Sequence, residues 1–293
     1  MKNNHPTQAV LLRNVHYSIP AADGVKTLLR HIHLSVSRGE WLAIVGTNGS
    51  GKSTLAKLIA KLQPVSSGEI VHNRSVRDAA QDSPARKPFV QMVFQNPDTQ
   101  LFGETVYEEV CFGLNNYGFE PEERHRLAMQ SLDTTGLAPL TDYPARFLSG
   151  GQKQLLHAAS CMAVQPEVLI FDEATAMLDP LSRERLLATI HRLHEEGTTI
   201  VWITQLLDEL DRSDRIVALD DGQIAFEGSK ESFFYSSISG DDVQSGEAGS
   251  SPCERLGFLP PYTIQVAKEL IRRGLSLNPL PFTIEQLGKA VTI

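Results

Sequence analysis

The residues with the clearest chemical potential form a glycine-rich run between an apolar segment, residues 41–45, and a helix-like one, residues 54–60. The run reads G-T-N-G-S-G-K-S-T and fits the G-x-x-x-x-G-K-S pattern of a phosphate-binding loop. Glycines let backbone N–H groups face phosphate oxygens, and the following helix N-terminus adds partial positive charge. The residues predicted to contact nucleotide are Gly46, Thr47, Asn48, Gly49, Ser50, Gly51, Lys52, Ser53 and Thr54.

Two side chains of this loop have individual roles in phosphate chemistry. The Lys52 ammonium reaches the β- and γ-phosphates of a nucleoside triphosphate, and the Ser53 hydroxyl is a Mg²⁺ ligand. The alternative is an ordinary glycine turn, but the order strand, loop, helix is the context that a phosphate-binding loop requires. The pattern therefore predicts binding of a nucleoside triphosphate with Mg²⁺.

Two adjacent carboxylates follow a second apolar segment, residues 168–171. A carboxylate at the end of a buried strand beside the loop can hold Mg²⁺ through water, and Asp172 has this position. Glu173, one residue further, points toward the γ-phosphate and can polarise the attacking water. The alternative is a pair of exposed loop acids. Beside the loop, we predict Asp172 as metal-binding and Glu173 as catalytic.

A second anion-binding pattern, L-S-G-G-Q at residues 148–152, opens a helix-like run that extends through residue 163. Backbone N–H groups at such a helix N-terminus can face an anion. One chain has no second γ-phosphate, so the pattern makes sense if two such domains face each other and each caps the other's nucleotide. A simple N-cap and turn is the alternative. The predicted contacts are Ser149, Gly150, Gly151 and Gln152.

One glutamine completes the candidate set. Gln95 ends the strand-like segment 90–94, and its amide can sense the Mg²⁺ and γ-phosphate site while the loop after it touches a partner. Most glutamines after strands are merely solvated, so this residue has meaning only beside the other motifs. We predict Gln95 as a catalytic and metal-contacting residue.

The elements that must position these residues include both strand and helix patterns, and we expect an α/β fold. Residues 104–164 look helical, with caps and breaks at Gly113, Gly118, Pro121 and Gly136. A Ser/Gly/Asp-rich stretch, residues 236–252, is typical of a flexible linker and precedes a small C-terminal part with helices near 263–273 and 283–291. The predicted strands are 9–19, 28–36, 41–45, 68–71, 90–94, 168–171, 199–204, 215–219 and 223–226.

Composition narrows the cellular setting. The chain has 293 residues and a net charge of −8, so it lacks the general basic surface of a nucleic-acid-binding protein. Three widely spaced cysteines indicate a reducing compartment, and from the sequence pattern we expect neither a membrane-spanning segment nor a signal peptide. We therefore expect a cytoplasmic protein that reaches a membrane only through a partner.

Together these motifs resemble the ATPase domain of ABC transporters, over about residues 8–235. The resemblance implies a P-loop ABC ATPase fold with an antiparallel β subdomain, a helical signature subdomain at about 96–164 and a small C-terminal appendage. It also implies a head-to-tail dimer with two ATP molecules sandwiched between phosphate-binding loops and L-S-G-G-Q faces. Asp179 matches the segment that crosses the dimer centre in that family.

A narrower resemblance is to the ATP-binding subunits of energy-coupling factor (ECF) importers. It rests on the segments 39–46, 93–102 and 256–261, with 253–293 resembling that family's C-terminal dimerisation segment. The resemblance implies ATP hydrolysis that powers uptake of vitamins or transition-metal ions. It further implies a transmembrane coupling protein, gripped through the groove around Gln95, a separate membrane substrate-binding subunit, and a peripheral location on the cytoplasmic face of the membrane.

The sequence departs from the family at three positions. Gln205 stands where the family has a histidine on the γ-phosphate, and glutamine cannot carry the proton or the positive charge. This change is either a tolerated polar replacement or the mark of a weakened site. Adenine stacking is the second departure, because Ile19 has the register of the family's aromatic residue while Tyr17 is an aromatic two residues earlier. The third is Leu155, where an arginine is common.

These departures suggest one of two nonidentical ATPase subunits, in which this chain's loop site is the slower one, although a homodimer is the alternative. Three other functions stay open at this point. They are a low-turnover nucleotide-binding scaffold, the ATPase of another ABC importer, and a soluble ABC ATPase that acts on DNA or ribosomes. The acidic balance and the single ATPase domain argue against the last of these.

Overall fold

The computed structural model describes residues 8–21, 24–74, 87–95, 101–236 and 250–291. These residues form two compact units. The first unit comprises the described residues up to Trp41 together with Ser53–Ile203, and the second comprises Leu42–Lys52 with the described residues from Thr204 onward. Most of the predicted linker, and residues 96–100 of the segment 93–102, lie outside the described residues.

The predicted α/β class is confirmed by the described strands. In chain order they are β1 (Gln8–Ala21), β2 (Gly24–Ser37), β3 (Trp41–Gly46), β4 (Ser67–His72), β5 (Val90–Val93), β6 (Val168–Asp172), β7 (Thr199–Ile203), β8 (Arg215–Asp220) and β9 (Gln223–Gly228).

The first unit holds two kinds of strand pairing. Strands β2, β1 and β4 form an antiparallel sheet in that order, whereas β5, β6 and β7 pair in parallel. Every residue of β6 and β7 is buried, as expected of parallel strands that are covered on both faces. Because parallel strands end at the same edge, residues that follow β5 and β6 come close together.

The helix after the loop and the helices predicted within 104–164 belong to the first unit. In chain order the helices are α1 (Lys52–Ile59), α2 (Val106–Asn116), α3 (Pro121–Thr134), α4 (Gly150–Ala163), α5 (Pro180–Glu195), α6 (Lys230–Tyr235), α7 (Pro252–Arg255), α8 (Tyr262–Arg272) and α9 (Ile284–Val291).

The predicted helix break at Gly113 is wrong, because this residue lies inside α2. A glycine inside a helix costs about 1 kcal/mol relative to alanine. Here a Cβ at Gly113 would lie 3.9 Å from the carbonyl oxygen of Ser160, an ordinary van der Waals distance, so α2 packs against α4 at this point. The helix is also fixed at its start, where Thr105 and Glu108 form a reciprocal capping box. Packing and capping together outweigh the local preference.

The core of the first unit contains a cluster of large aromatic side chains. Trp41 and Trp202 are fully buried, with ring centroids 6.0 Å apart, and Phe171 lies 5.2 Å from Trp202. Buried side chains of α4 belong to the same cluster. Since Phe171 directly precedes Asp172, this packing fixes the end of β6, where the candidate carboxylates begin.

The second unit joins the strand that precedes the glycine-rich loop to the C-terminal segment. Strand β3 pairs in parallel with β8 from Leu42 to Gly46, and β8 pairs antiparallel with β9. Its core combines Ala43 and Val45 with Phe233 and Phe234 of α6 and Ile264 of α8. Strand β3, which leads into the glycine-rich loop, and the C-terminal helices therefore share one hydrophobic core.

An ion pair between buried Lys268 and half-buried Glu254 stabilises the start of the C-terminal segment. The Lys268 side chain is only 3% exposed, and its Nζ lies 2.9 Å from Glu254 Oε2 and 3.0 Å from Ser251 Oγ. Glu254 also accepts a hydrogen bond from the Ser251 N–H at 2.7 Å, which caps α7.

Within the described ranges, no helix combines the length and apolarity that a membrane span requires.

Candidate active site

The loop between β3 and α1 has the backbone form that phosphate binding requires. Gly46 allows a close approach, because an added Cβ would lie 2.5 Å from both the Leu219 carbonyl oxygen and the Ser50 hydroxyl. Gly49 has a φ of 82° and Gly51 a φ of 103°, a region that residues with side chains rarely adopt. The loop therefore folds into a concavity that glycine makes possible.

Lys52 and Ser50 fit a phosphate ligand in this concavity. The Lys52 side chain is 5% exposed, and its Nζ donates hydrogen bonds to the carbonyl oxygens of Gly46 and Thr47 at 2.9 and 3.0 Å. The buried Ser50 hydroxyl has no hydrogen-bond partner among the described residues. A buried ammonium that lies on loop carbonyls, beside an unsatisfied hydroxyl, is well suited to receive anionic oxygens.

Ser53 and Asp172 meet in the first unit. The Ser53 hydroxyl donates to Asp172 Oδ1 at 3.0 Å, and Asp172, the last residue of β6, is 3% exposed. Mg²⁺ prefers hard oxygen ligands and is commonly held through one or two carboxylates plus substrate phosphates. A hydroxyl and a buried carboxylate in contact supply the donor set that this ion takes.

Gln95 and Glu173 form the second contact of the first unit. Gln95 Nε2 donates a hydrogen bond to Glu173 Oε2 at 2.8 Å. The Glu173 backbone N–H donates to the carbonyl oxygen of Ile203 at 3.0 Å, and its φ is 49°, which is uncommon for a residue with a side chain. The backbone of β7 thus holds Glu173 in an unfavourable conformation that turns it out of the strand. Strain of this kind clusters at functional sites.

Gln205 contacts the loop within the second unit. Its Nε2 donates a hydrogen bond to Asn48 Oδ1 at 2.8 Å, and both side chains are exposed. The preceding residue, Thr204, is 2% exposed and donates its hydroxyl proton to Glu209 Oε2 at 2.7 Å. The contact between Gln205 and Asn48 was not predicted from the sequence, which gave no signal for this pairing.

The L-S-G-G-Q motif forms the start of α4. Ser149 is the N-cap, its hydroxyl accepts from the Gln152 N–H at 3.2 Å, and Gln152 Oε1 accepts from the Ser149 N–H at 2.9 Å. The first helical N–H groups, those of Gly150 and Gly151, have no acceptor within the helix. Both the N-cap alternative and the anion-binding prediction are therefore compatible with this geometry, because the cap pairs Ser149 with Gln152 and does not use the N–H groups of Gly150 and Gly151.

Asp179, the residue predicted near the dimer centre, is the N-cap of α5. Its Oδ1 accepts from the backbone N–H groups of Leu181 and Ser182 at 3.1 and 3.0 Å. Hydrogen bonds from the side chain and backbone of Ser182 lower the pKa of the Asp179 carboxyl below its ordinary value. The carboxylate is thus ionised at neutral pH, at a helix N-terminus that favours negative charge.

The two candidates for adenine stacking both lie on β1. Tyr17 pairs with Leu29 and Ile19 with Lys26 of β2, and both side chains are half-buried. Packing alone does not separate them, so the choice between Ile19 and Tyr17 stays a prediction.

A groove of about 350 Å³ lies in the first unit beside the residues that lead to Gln95. Phe102 and Phe112 stack at it, with ring centroids 4.8 Å apart, and are 69% and 41% exposed. Sequence reasoning missed the residue that shapes one wall: buried Glu109 accepts hydrogen bonds from the N–H groups of Phe102 and Gly103, both at 2.7 Å. Burial raises the pKa of the Cys161 thiol, another lining residue, to about 12, so this side chain is neutral.

Sequence comparison places this geometry among known proteins. The family described as ABC transporter matches residues 29–176. The energy-coupling factor transporter ATP-binding protein EcfA of Methanosarcina acetivorans is 38% identical over 269 residues, which cover 92% of each chain. EcfA1 of Latilactobacillus sakei is 42% identical over 223 residues, or 75% of this chain and 78% of the relative.

Solved structures give the same picture. The CbiO1 protein of Clostridium perfringens, part of the ABC transporter complex CbiONQ, aligns with a TM-score of 0.64 at 31% identity, covering 77% of this chain and 90% of that one. A dimeric ATP-binding cassette in a post-hydrolysis state, bound to ADP and phosphate, aligns with a TM-score of 0.67 at 28% identity, covering 75% and 98%.

Proposed function

This chain belongs to the ABC transporter family, and from that premise we propose that it is the ATP-binding and ATP-hydrolysing subunit of an ECF-type importer. Its relatives over most of its length are named energy-coupling factor ATP-binding proteins. The observation that carries the proposal is the hydrogen bond from Gln95 to Glu173, because it orients the carboxylate to which we assign the activation of water.

The residues divide the hydrolysis reaction among them. Lys52 leaves the loop carbonyls and binds β- and γ-phosphate oxygens, while Ser53 and Asp172 hold Mg²⁺. When bound, Mg²⁺ neutralises charge on the phosphate oxygens. The water oxygen bonds to the γ-phosphorus as the bond from that phosphorus to the β–γ bridging oxygen breaks, which releases ADP and phosphate. Glu173 accepts the proton of this water at its carboxylate, and Gln95 orients that carboxylate. The intact Glu173 favours a working ATPase over the scaffold alternative.

A second ATPase subunit completes each site. In this assembly the Gly150 and Gly151 N–H groups of one subunit contact the γ-phosphate bound by the other subunit. Asp179 lies near the centre of the dimer, between the two subunits. The cassette dimer with ADP and phosphate supports such an assembly. We further propose a nonidentical partner, because Gln205 replaces the family's histidine. A purified chain that forms a homodimer and hydrolyses ATP as fast as the whole transporter would contradict the heterodimer.

The groove is the proposed seat of the transmembrane coupling protein. Phe102 and Phe112 offer an exposed apolar surface, and Gln95 directly follows Phe94, which lines the same groove. Gln154 of α4 donates a hydrogen bond to the Phe94 carbonyl oxygen at 2.9 Å. This bond connects one wall of the groove to α4, the helix that begins at the L-S-G-G-Q motif. A partner helix seated here reaches both elements. This attachment puts the chain on the cytoplasmic face of the membrane, alongside a separate substrate-binding subunit.

Co-purification from detergent-solubilised membranes tests this attachment. Phe112→Asp places a charge in the apolar groove and should abolish recovery of an integral membrane protein with the tagged chain. Tyr143→Asp, at another exposed aromatic of the first unit, is the matched control and should retain it. Equal recovery with both variants would exclude the groove as the docking site, and ATP hydrolysis by the recovered complex tests the enzymatic function separately.

A further inference from the structure

We infer that Gln205 is a positioning residue for the phosphate-binding loop, and that it acts through Asn48 rather than by touching the γ-phosphate. The inference rests on the nucleotide binding proposed above and goes beyond it in one respect. It predicts that Gln205 supports ADP and ATP binding equally, because the shape of the loop, and not the terminal phosphate, depends on it.

The backbone that carries Gln205 is fixed by buried contacts. The Thr204 N–H donates to the Ile44 carbonyl oxygen at 3.3 Å, and the Thr204 hydroxyl accepts from the Leu206 N–H at 2.9 Å. The same hydroxyl donates to Glu209, which is only 4% exposed. A turn whose polar groups are paired inside the protein gives its next side chain a defined starting point.

From this turn the Gln205 amide reaches the exposed crest of the loop. Its Nε2 lies 2.8 Å from Asn48 Oδ1, between the exposed residues Thr47 and Gly49. The loop is also held at Ser50, whose carbonyl oxygen accepts from the Gly222 N–H at 3.2 Å. The crest is therefore held at Thr47 by Lys52, at Ser50 by the Gly222 N–H and at Asn48 by Gln205. Of these three contacts, the one at Asn48 depends on a side chain that departs from the family pattern.

Side-chain chemistry separates the two possible roles of Gln205. A neutral amide keeps the same donor at every pH, so it can hold Asn48 without a change of charge. A neutral hydrogen bond changes an equilibrium by about two- to tenfold. If that bond preorganises the loop, its loss weakens every nucleotide by the same factor. If Gln205 instead contacts the γ-phosphate, its loss weakens ATP and spares ADP.

A double-mutant cycle on the full-length chain tests the inference. Gln205→Ala, Asn48→Ala and the double variant are titrated with fluorescent ATP and ADP analogues in the presence of Mg²⁺. We expect Gln205→Ala to weaken both nucleotides about two- to tenfold and to have no further effect once Asn48 is alanine. Hydrolysis should show a raised KM and a kcat within about twofold of wild type.

The controls make each outcome decisive. Gln130→Ala removes an exposed glutamine of α3 and should leave both affinities unchanged. Circular dichroism melting verifies that each variant is folded. A loss confined to ATP, additive effects in the double variant, unchanged affinities or tighter binding would each overturn the inference. Failure of the wild-type chain to bind either nucleotide would instead refute the proposed function, and the wild-type titration reveals this directly.

Discussion

Two glutamines of this chain make nearly the same hydrogen bond in different settings. Gln95 follows β5 and belongs to the first unit, whereas Gln205 comes shortly after the end of β7 and belongs to the second unit. Each donates from Nε2 across 2.8 Å. The acceptors differ. Glu173 offers a carboxylate on a residue with a φ of 49°, whereas Asn48 offers a neutral amide at the crest of the loop.

The difference shows that the acceptor decides what a glutamine can do. Hydrogen bonds to charged groups contribute about 1.5–3 kcal/mol, and neutral ones about 0.5–1.5 kcal/mol. The first contact orients a group that takes up a proton, so its loss should slow the chemical step. The second contact supports a binding surface, so its loss should weaken affinity. Each prediction below tests one side of this contrast.

The largest effect is expected at Glu173. Glu173→Gln keeps the size of the side chain but removes the charge that accepts the proton, so kcat should fall at least about 100-fold. Nucleotide affinity should stay within about twofold of wild type. Phosphate release and nucleotide titration measure the two quantities. Glu196→Gln, at an exposed glutamate after α5, is the control. Unchanged turnover would mean that the contact with Gln95 is only structural.

Lys52 gives the largest expected effect on the binding side. Lys52→Ala removes the buried ammonium that is to contact phosphate oxygens, and ATP affinity should fall about 10- to 100-fold. Lys57→Ala, in the same helix, should bind normally when both variants are titrated with the same analogue. Wild-type ATP affinity in Lys52→Ala would show that Lys52 does not contact the phosphates.

Gln95 should show a smaller effect, and on kcat alone. Gln95→Ala takes away the donor that orients Glu173, and because the contact is exposed we expect a loss of about three- to tenfold. Steady-state kinetics beside Gln205→Ala sharpen the comparison, since that variant should raise KM instead. If both substitutions change the same kinetic parameter, the contrast between the two contacts is wrong.

The ion pair between Glu254 and Lys268 extends the comparison from function to stability. Burial raises the pKa of the Glu254 carboxyl, but hydrogen bonds from the Ser251 N–H, Lys268 and the Ser251 hydroxyl outweigh it and leave the pKa below its ordinary value of 4.5. A lowered folded-state pKa means stability that is present at neutral pH and lost as the pH falls below about 4.5.

Glu254→Gln should therefore destabilise the chain at pH 7 and have little effect at pH 3. We expect a loss of about 1–3 kcal/mol at pH 7, because Lys268 keeps its charge with a weaker partner. Thermal melting at both pH values measures this, with Glu285→Gln at an exposed position of α9 as the control. An equal loss at both pH values would show that the charge of Glu254 is irrelevant.

The sequence predicted best what depends on neighbouring residues. Strand, loop and helix around Lys52, the buried strand before Asp172 and the serine cap at Ser149 are all local patterns, and the structure has each element within a few residues of the expected bounds. The contact between Ser53 and Asp172, 119 residues apart, joins two of these local patterns in the folded chain. The roles of these residues in binding and hydrolysis stay predictions.

What the sequence could not predict depends on distant contacts. Gly113 lies within α2 in contact with α4, and no window around residue 113 contains that contact. Gln205 and Asn48 are 157 residues apart, so only the folded chain brings them together. In the sequence, Glu109 looks like any other acidic residue of a helix. The hydrogen bonds that it accepts from the Phe102 and Gly103 N–H groups depend on how the preceding segment turns.

The buried aromatic pair at Trp41 and Trp202 gives the protein a built-in optical reporter. The chain has two tryptophans, and both lie in the first unit with their rings 6.0 Å apart. Intrinsic fluorescence therefore reports on that unit, whereas circular dichroism also detects the C-terminal helices. A cooperative chain must lose both signals at one temperature. Separate midpoints would reveal that the C-terminal segment unfolds independently, without any added label.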